Sequence, residues 1–265
     1  VKQPRVCVAV DLGNTAAKWA IRVGDANAPA LQRVPLRTAD WPQQLIRSVQ
    51  QQAGDAAAYW RIAAVNTPAR QRLVEHLVAD RSQPDVTVIT RAHVPMATCL
   101  PQPERIGIDR LLAIWQASRS YPAQRIVVVD AGSAITIDCA SEAGEFLGGV
   151  ILPGLMLQFD SLARGTDALP AIEPPEASSD GAGALPVPAT DTVTAIRSGI
   201  MLGTAAAIDR LIARSLDGGS HQVILTGGDA RRLSSLVTHP HVVLDRLVID
   251  AILAAEIKGA GANYR

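Results

Sequence analysis

Residues 126–138 read IVVVDAGSAITID. Four apolar residues, Ile126 to Val129, run into Asp130, and a turn of small residues follows, Ala131-Gly132-Ser133-Ala134. A second run, Ile135 to Ile137, leads to Asp138. Short runs rich in Val and Ile read as buried strands, and the Gly-Ser between them reads as a turn. The stretch is therefore a hairpin with a carboxylate at the end of its first strand. Its turn is small enough for a phosphate to reach the backbone. Gly132 tolerates unusual backbone angles, Ser133 offers a hydroxyl, and successive N–H groups in such a turn can form an anion-binding nest.

The pattern occurs once more. Val6-Cys7-Val8-Ala9-Val10 leads to Asp11-Leu12-Gly13-Asn14-Thr15, and Trp19-Ala20-Ile21 continues as the next strand. One Asp-x-Gly hairpin is an ordinary turn as readily as a site. Two copies, each opening half of the chain, predict two similar halves that address one nucleotide phosphate chain and its metal.

The bulk composition fits an enzyme with a large core. The chain has 265 residues, of which 48% are hydrophobic and 19% charged, which argues against disorder and leaves room for two domains. Lys+Arg 25 balance Asp+Glu 25, so no basic field exists to hold nucleic acid or an anionic membrane. Cys7, Cys99 and Cys139 are odd in number and widely spaced, which fits reduced thiols in a cytoplasmic protein and neither a disulfide frame nor a zinc site. The first strand begins within a few residues of Val1, so no signal peptide is expected, and no apolar run reaches membrane-spanning length.

Hydrophobic spacing predicts strands at 5–11, 17–22 and 31–36, then a helix with Asp40 as N-cap and Pro42 in its first turn. A strand at 60–66, a helix opened by Thr67-Pro68 and a strand at 86–90 complete the first half. After a loop with Pro95, Pro101 and Pro103, Gly107-Ile108-Asp109-Arg110 introduces a linking helix carrying Leu111, Leu112 and Trp115. The second half repeats the order, with strands at 125–130, 134–139 and 146–151, a helix after Pro153-Gly154, and a long helix at 192–216. A strand at 222–226, a short helix, a short strand near 242–244 and a C-terminal helix follow. Residues 168–189, rich in Pro, Gly, Ser and Ala, read as a surface loop inserted in this half. The expected domains are residues 1–105 and 106–265. The fold class is α/β, a duplication with mixed sheets and not a plain doubly wound parallel sheet.

This arrangement resembles the actin/Hsp70/sugar-kinase superfamily, whose duplicated actin-like ATPase (ribonuclease H-like) domains carry mixed five-stranded sheets flanked by helices. Within it, Asp11-x-Gly13-Asn14-Thr15-x-x-Lys18, Gly107-x-Asp109-Arg110 and Asp130-x-Gly132-Ser133-Ala134-x-Thr136-x-Asp138 resemble type III pantothenate kinase. So do Gly148-Gly149-x-Ile151-x-Pro153-Gly154, Leu169-Pro170, Thr192 and Thr226-Gly227-Gly228-Asp229-Ala230. The Gly-x-Asp-Arg and Gly-Gly-x-Ile-x-Pro-Gly elements are the specific part, whereas the Asp-x-Gly motifs fit any member of the superfamily.

The resemblance implies transfer of the γ-phosphate of ATP to the terminal hydroxyl of pantothenate, the entry step to coenzyme A. Phosphoryl transfer asks for positioning and charge neutralisation more than covalent help. Asp11 and Asp130 stand at strand ends, where carboxylates can hold Mg²⁺ directly or through its waters. Gly13, Asn14, Thr15, Gly132, Ser133 and Ala134 offer donors to phosphate. Lys18, one of only three lysines with Lys2 and Lys258, belongs by resemblance to the ATP site; the other reading is a solvated strand lysine. Asp109 is the candidate general base, and Arg110 beside it would pair with the substrate carboxylate or steady the base. The other reading of Asp109 is a cap on its own helix. The resemblance also implies a monovalent cation, K⁺ or NH₄⁺, at Asp130, pantothenate contacts from Gly107 and Ile108, and a homodimer in which Thr192 meets pantothenate. Thr192 equally reads as the N-cap of the long helix.

Three departures stand out. Leu100 occupies the place of a Tyr that contacts pantothenate in the family, nine residues before the catalytic Asp. Ser133 replaces a usual Thr and keeps its hydroxyl. A usual Gly shortly before Thr192 is missing, where Ala189-Thr190-Asp191 stand. Leu100 therefore leaves open a kinase for another small hydroxylated acceptor, and the fold leaves open a non-catalytic regulatory homologue, against which the intact Asp11, Asp109, Arg110 and Asp130 argue. Gly181-Ala182-Gly183 lacks the flanking strand and helix of a dinucleotide site, and no Gly-Lys-Ser/Thr of a P-loop exists. The histidines lack metal-site spacing, and the four tryptophans read as core or helix-face residues, not as a nucleic-acid stacking platform.

Overall fold

The structure is a computed structural model. It describes residues 6–24, 31–54, 56–79, 85–176, 185–216 and 220–255. Arg5, Lys2, Lys258 and Gly181-Ala182-Gly183 lie outside the described residues.

The first half runs β1 (Val6–Leu12), β2 (Ala16–Val23), β3 (Gln32–Pro35), α1 (Trp41–Ala53), β4 (Ala58–Ala64), α2 (Thr67–Ala79) and β5 (Asp85–Val88). Helix α3 (Ile108–Ser120) follows. The second half runs β6 (Arg125–Ala131), β7 (Ala134–Ala140), β8 (Phe146–Pro153), α4 (Leu155–Gly165), α5 (Thr192–Ser215), β9 (His221–Thr226), α6 (Ala230–Ser234), β10 (Val242–Val243) and α7 (Leu247–Ala254). The sheet orders are β3-β2-β1-β4-β5 and β8-β7-β6-β9-β10, the same topology twice. In each, the first three strands are antiparallel neighbours and the last two join in parallel. This is the duplicated actin-like arrangement.

The chain forms two compact units, each discontinuous in sequence. One comprises 1–95, 102–116 and 246–265; the other comprises 96–101 and 117–245. The start of α3 and all of α7 thus belong to the first unit.

Alternation along the central strands decides which face is core. In the first unit Val6, Val8, Val10 and Leu12 pack with Trp41, Leu45, Val49, Leu73 and Leu77 of α1 and α2. Each such buried side chain contributes about 1.5–3 kcal/mol. Cys7, Ala9 and Asp11 fall on the opposite face, since side chains alternate along a strand. There α7 packs against β1 and β4, and Arg61 Nη1 donates to the carbonyls of Ile252, Leu253 and Ala255 at the end of that helix. In the second unit Val127, Val129 and Ala131 pack with Leu155, Phe159, Ile200, Met201 and Ile208, which leaves Val128 and Asp130 on the other face. Trp19, Trp41, Trp60 and Trp115 are all buried, as expected.

Several details refine the sequence reading. Asp40 holds the N-cap position of α1 without a side-chain cap bond; its carboxylate takes a hydrogen bond from Gln44 instead. Asn66 is not strand but caps α2, accepting from Ala69 N–H at 2.9 Å. The described parts of the inserted loop, 168–176 and 185–189, contain no helix or strand. They are anchored by Leu169, Ile172 and Leu185 against the core and by Arg232 Nε donating to the Pro175 carbonyl at 2.7 Å. Among the described residues, no helix is long and apolar enough to cross a membrane.

Candidate functional site

Each sheet carries a carboxylate at the penultimate residue of its first strand, Asp11 in β1 and Asp130 in β6. Each strand then enters a glycine turn closed by one main-chain bond. Gly13 N donates to Ala16 O at 3.2 Å, and Gly132 N donates to Ala134 O at 3.0 Å. The first turn places Gly13, Asn14, Thr15 and Ala16 between the paired ends of its strands, the second only Gly132, Ser133 and Ala134. Asn14 and Thr15 are exposed, as a ligand-facing turn requires.

The residue opposite each carboxylate differs. Across the first hairpin Asp11 pairs with Lys18, and the ammonium lies 4.0 Å from the carboxylate. Asp11 is only 8% exposed, and a buried carboxylate costs several kcal/mol unless compensated; Lys18 supplies part of that compensation. Across the second hairpin Asp130 pairs with Thr136. The buried Oγ1 of Thr136 has no hydrogen-bond partner among the described residues. A buried hydroxyl left without a partner is unusual in a folded protein and marks a place for an ion or water.

Glycines crowd the second hairpin for a steric reason. A Cβ on Gly227, whose φ is +96°, would collide with the Asp130 carboxylate and the Ala131 carbonyl. A Cβ on Gly154 would strike the carbonyls of Gly132 and Ser133, and one on Gly149 would strike Ile137 O and Asp138 Oδ1. Asp229 N donates to Ala131 O at 2.9 Å and Gly154 N to Ser133 O at 3.2 Å, so both glycine segments are tied to the end of β6 and its turn. The Gly-Gly-x-Ile-x-Pro-Gly and Thr-Gly-Gly-Asp-Ala elements thus shape the surroundings of Asp130. Their role is not visible in the sequence, which marks the glycines but not the backbone they approach.

Asp109 sits in the first turn of α3, where the helix dipole favours an anion. Its Oδ1 accepts the Arg110 main-chain N–H at 2.8 Å. A Cβ on Gly107 would come 2.6 Å from that same oxygen, so the glycine leaves room for the carboxylate. Asp109 is the second residue of α3 and accepts one main-chain N–H of its own first turn, a bond that orients the carboxylate. Ile108 and Arg110 are half-buried beside it. Leu100 lies in a different unit from Asp109, half-buried near Gly148.

Thr192 is exposed at the first position of α5. It is not the N-cap. Asp191 is, accepting from Thr194 N at 2.9 Å, and that bond to the Thr194 backbone holds the Asp191 carboxyl below its ordinary range. Asp precedes Thr here, and from the N-cap position its carboxylate reaches a free N–H group of the first turn.

No group of three or more His, Cys, Asp or Glu side chains able to cage an ion occurs among the described residues. Asp11 and Asp130 are each a single strand-end carboxylate, the type of ligand through which Mg²⁺ is held when it keeps its waters and also binds phosphates. The Asp130 carboxylate and the Thr136 hydroxyl, whose oxygen has no hydrogen-bond partner among the described residues, are oxygen groups of the hard type such cations prefer.

A family model described as type III pantothenate kinase matches residues 7–214. A type III pantothenate kinase from Rhodopirellula baltica is 35% identical over 92% of this chain and 97% of its own length. One from Alcanivorax borkumensis is 28% identical over 92% and 95%. Among solved structures, component A of the (R)-2-hydroxyglutaryl-CoA dehydratase of Acidaminococcus fermentans superposes with a TM-score of 0.53 at 16% identity, over 94% of this chain and 95% of that one. The activator of the 2-hydroxyisocaproyl-CoA dehydratase of Clostridium difficile gives 0.52 at 14% identity, over 94% and 92%. At such identities these two structures share the fold.

Proposed function

The chain belongs to the type III pantothenate kinase family, enzymes that use ATP to phosphorylate pantothenate to 4'-phosphopantothenate in the first step of coenzyme A biosynthesis, and we propose that its two Asp-x-Gly hairpins are the nucleotide-handling elements of that reaction. One observation carries this reading. The same carboxylate-then-glycine-turn construction ends the first strand of both sheets.

In this reading Gly13, Asn14, Thr15 and Lys18 serve the ATP phosphates from the first hairpin, and Gly132, Ser133 and Ala134 serve them from the second. Asp11 and Asp130 would hold Mg²⁺, which supplies charge neutralisation on the phosphates. A monovalent cation, K⁺ or NH₄⁺, belongs with Asp130 and not with Asp11. Lys18 already stands opposite Asp11, whereas a hydroxyl stands opposite Asp130.

Asp109 accepts the proton of the pantothenate hydroxyl. Its bond from Arg110 N–H aims the carboxylate, and Arg110 with Gly107 and Ile108 lines the acceptor. Leu100 contributes an apolar contact where relatives carry Tyr. Thr192, exposed at the head of α5, serves the acceptor of a second subunit. Exposed apolar side chains support that homodimer. Val150 and Ile151, 41% and 62% exposed on edge strand β8, share the second unit with Met156, Leu157 and Val193, all exposed. A cytoplasmic location is consistent with the three free cysteines. Mass spectrometry of the product formed from pantothenate and ATP tests the assignment: phosphopantothenate is expected, and unmodified pantothenate after complete incubation would reject it.

A further inference from the structure

Within the second unit, the segment 96–101 is tied to the start of β8 by main-chain and side-chain bonds. Phe146 N donates to Ala97 O at 2.8 Å, and Thr98 bridges Phe146 in parallel fashion. The Thr98 hydroxyl donates to the Phe146 carbonyl at 2.9 Å and accepts from Leu100 N–H at 3.2 Å. A hydroxyl has one hydrogen and two lone pairs, so these two bonds use its donor and one acceptor. Along the segment Met96, Thr98 and Leu100 turn inward while Ala97, Cys99 and Pro101 are exposed, an extended alternation.

Leu100 is delivered to a built feature of β8. The register of β7 with β8 passes from Cys139↔Gly148 to Ala140↔Phe146, leaving Leu147 as the extra residue of a bulge. Bulges re-aim neighbouring side chains. Here Gly148 takes φ +112°, and the place its Cβ would occupy is 3.6 Å from Leu100 Cδ2. Leu100 thus packs on a backbone that only glycine adopts without strain.

We propose that Thr98 is a positioning residue for the acceptor: its hydroxyl fixes Leu100 against the bulged Gly148, and through Leu100 it sets the affinity for pantothenate. This rests on the reading of Leu100 as an acceptor contact. Thr98 touches no substrate itself. Its loss frees the Leu100 main chain and lets the side chain leave the glycine shelf.

The test is steady-state kinetics of Thr98→Val, Thr98→Ser and Leu100→Ala, with thermal melting of each. Thr98→Val preserves shape and removes both hydrogen bonds. It should raise the KM for pantothenate by about threefold to tenfold, with kcat and the KM for ATP within twofold (roughly the scatter of such assays). Thr98→Ser keeps the hydroxyl and should restore the wild-type KM. Leu100→Ala separates the layers. If it leaves the pantothenate KM unchanged, the acceptor role of Leu100 is wrong and the proposal falls with it. If Leu100→Ala raises that KM while Thr98→Val does not, Leu100 keeps its role and Thr98 loses its own. A Thr98→Val enzyme that loses kcat, ATP affinity and melting temperature together, unrescued by Ser, would make Thr98 merely structural and overturn the proposal.

Discussion

Gly227 stands against Asp130 so closely that a methyl group on it would collide with the carboxylate and with the backbone of Ala131. The strand end that bears the second acidic residue therefore has its shape enforced by a residue almost a hundred positions later. The two are brought together by the parallel pairing of β6 with β9, in which Asp130 faces Thr226.

Gly227→Ala follows as a prediction. Overpacking costs about 1–3 kcal/mol, and a φ of +96° adds backbone strain for any side chain. The variant should melt at a lower temperature and lose turnover, with a higher requirement for Mg²⁺. A wild-type Mg²⁺ titration curve would show that Asp130 tolerates displacement.

Asp130→Ala removes the carboxylate from the hairpin whose cross-strand partner is a hydroxyl. Activity of the parent enzyme should require Mg²⁺ and rise with K⁺ or NH₄⁺; the variant should lose the monovalent response. Lys18→Met, altered on the other hairpin, should keep that response while raising the KM for ATP. Titration of both variants with KCl at fixed Mg²⁺ decides it, and a K⁺ response surviving in Asp130→Ala would move the ion elsewhere.

Much of this was legible in the sequence. The duplicated order of elements followed from apolar periodicity, and both Asp-x-Gly turns followed from small residues between Val- and Ile-rich runs. What was not legible depends on long-range approach. Nothing local distinguishes Gly149, Gly154 and Gly227 from turn glycines, yet each is required by a backbone or carboxylate that reaches it through the sheet. The alternative reading of Thr192 as the cap of α5 fails: Thr and Asp are both good caps and stand side by side, and the geometry selects Asp191. That the buried Thr136 hydroxyl has no partner among the described residues is a three-dimensional fact with no sequence signature.

The dimer is testable through the acceptor site. Mixing inactive Asp109→Asn subunits with Thr192→Val subunits should restore activity in the mixed dimer, which carries one site free of both changes. Ile151→Glu, placing a charge at an exposed apolar position of edge strand β8, should yield monomers by sedimentation. An active monomer would dissociate Thr192 from the partner's site.

Asp209 gives a pH prediction. Burial pushes its carboxyl up, but hydrogen bonds from Thr238 N, His239 N and the Thr238 hydroxyl outweigh this and hold it below the usual range. The hydroxyl bond is 2.8 Å and the His239 bond 2.9 Å. A depressed folded-state value means stability present above the unfolded value, about 3.9, and lost as pH falls through the folded value. Asp209→Ala should therefore cost stability at pH 7, about 1 kcal/mol after discounting for solvent exposure. That gap should close as melts are repeated below about pH 4. A gap independent of pH would mean the bonds do not depend on the charge.

The central claim, that Asp109 drives phosphorylation of pantothenate by ATP, is tested most directly by coupled ADP release. Wild type and Asp109→Asn should be compared with pantothenate and with a panel of hydroxy acids and sugars, and ATP binding by both should be measured separately. The account predicts ADP release by the wild type that depends on pantothenate. It predicts a loss of about 10²–10⁴-fold in Asp109→Asn with ATP affinity retained. Near-normal turnover by Asp109→Asn, or wild-type ADP release driven by another acceptor and not by pantothenate, would contradict it.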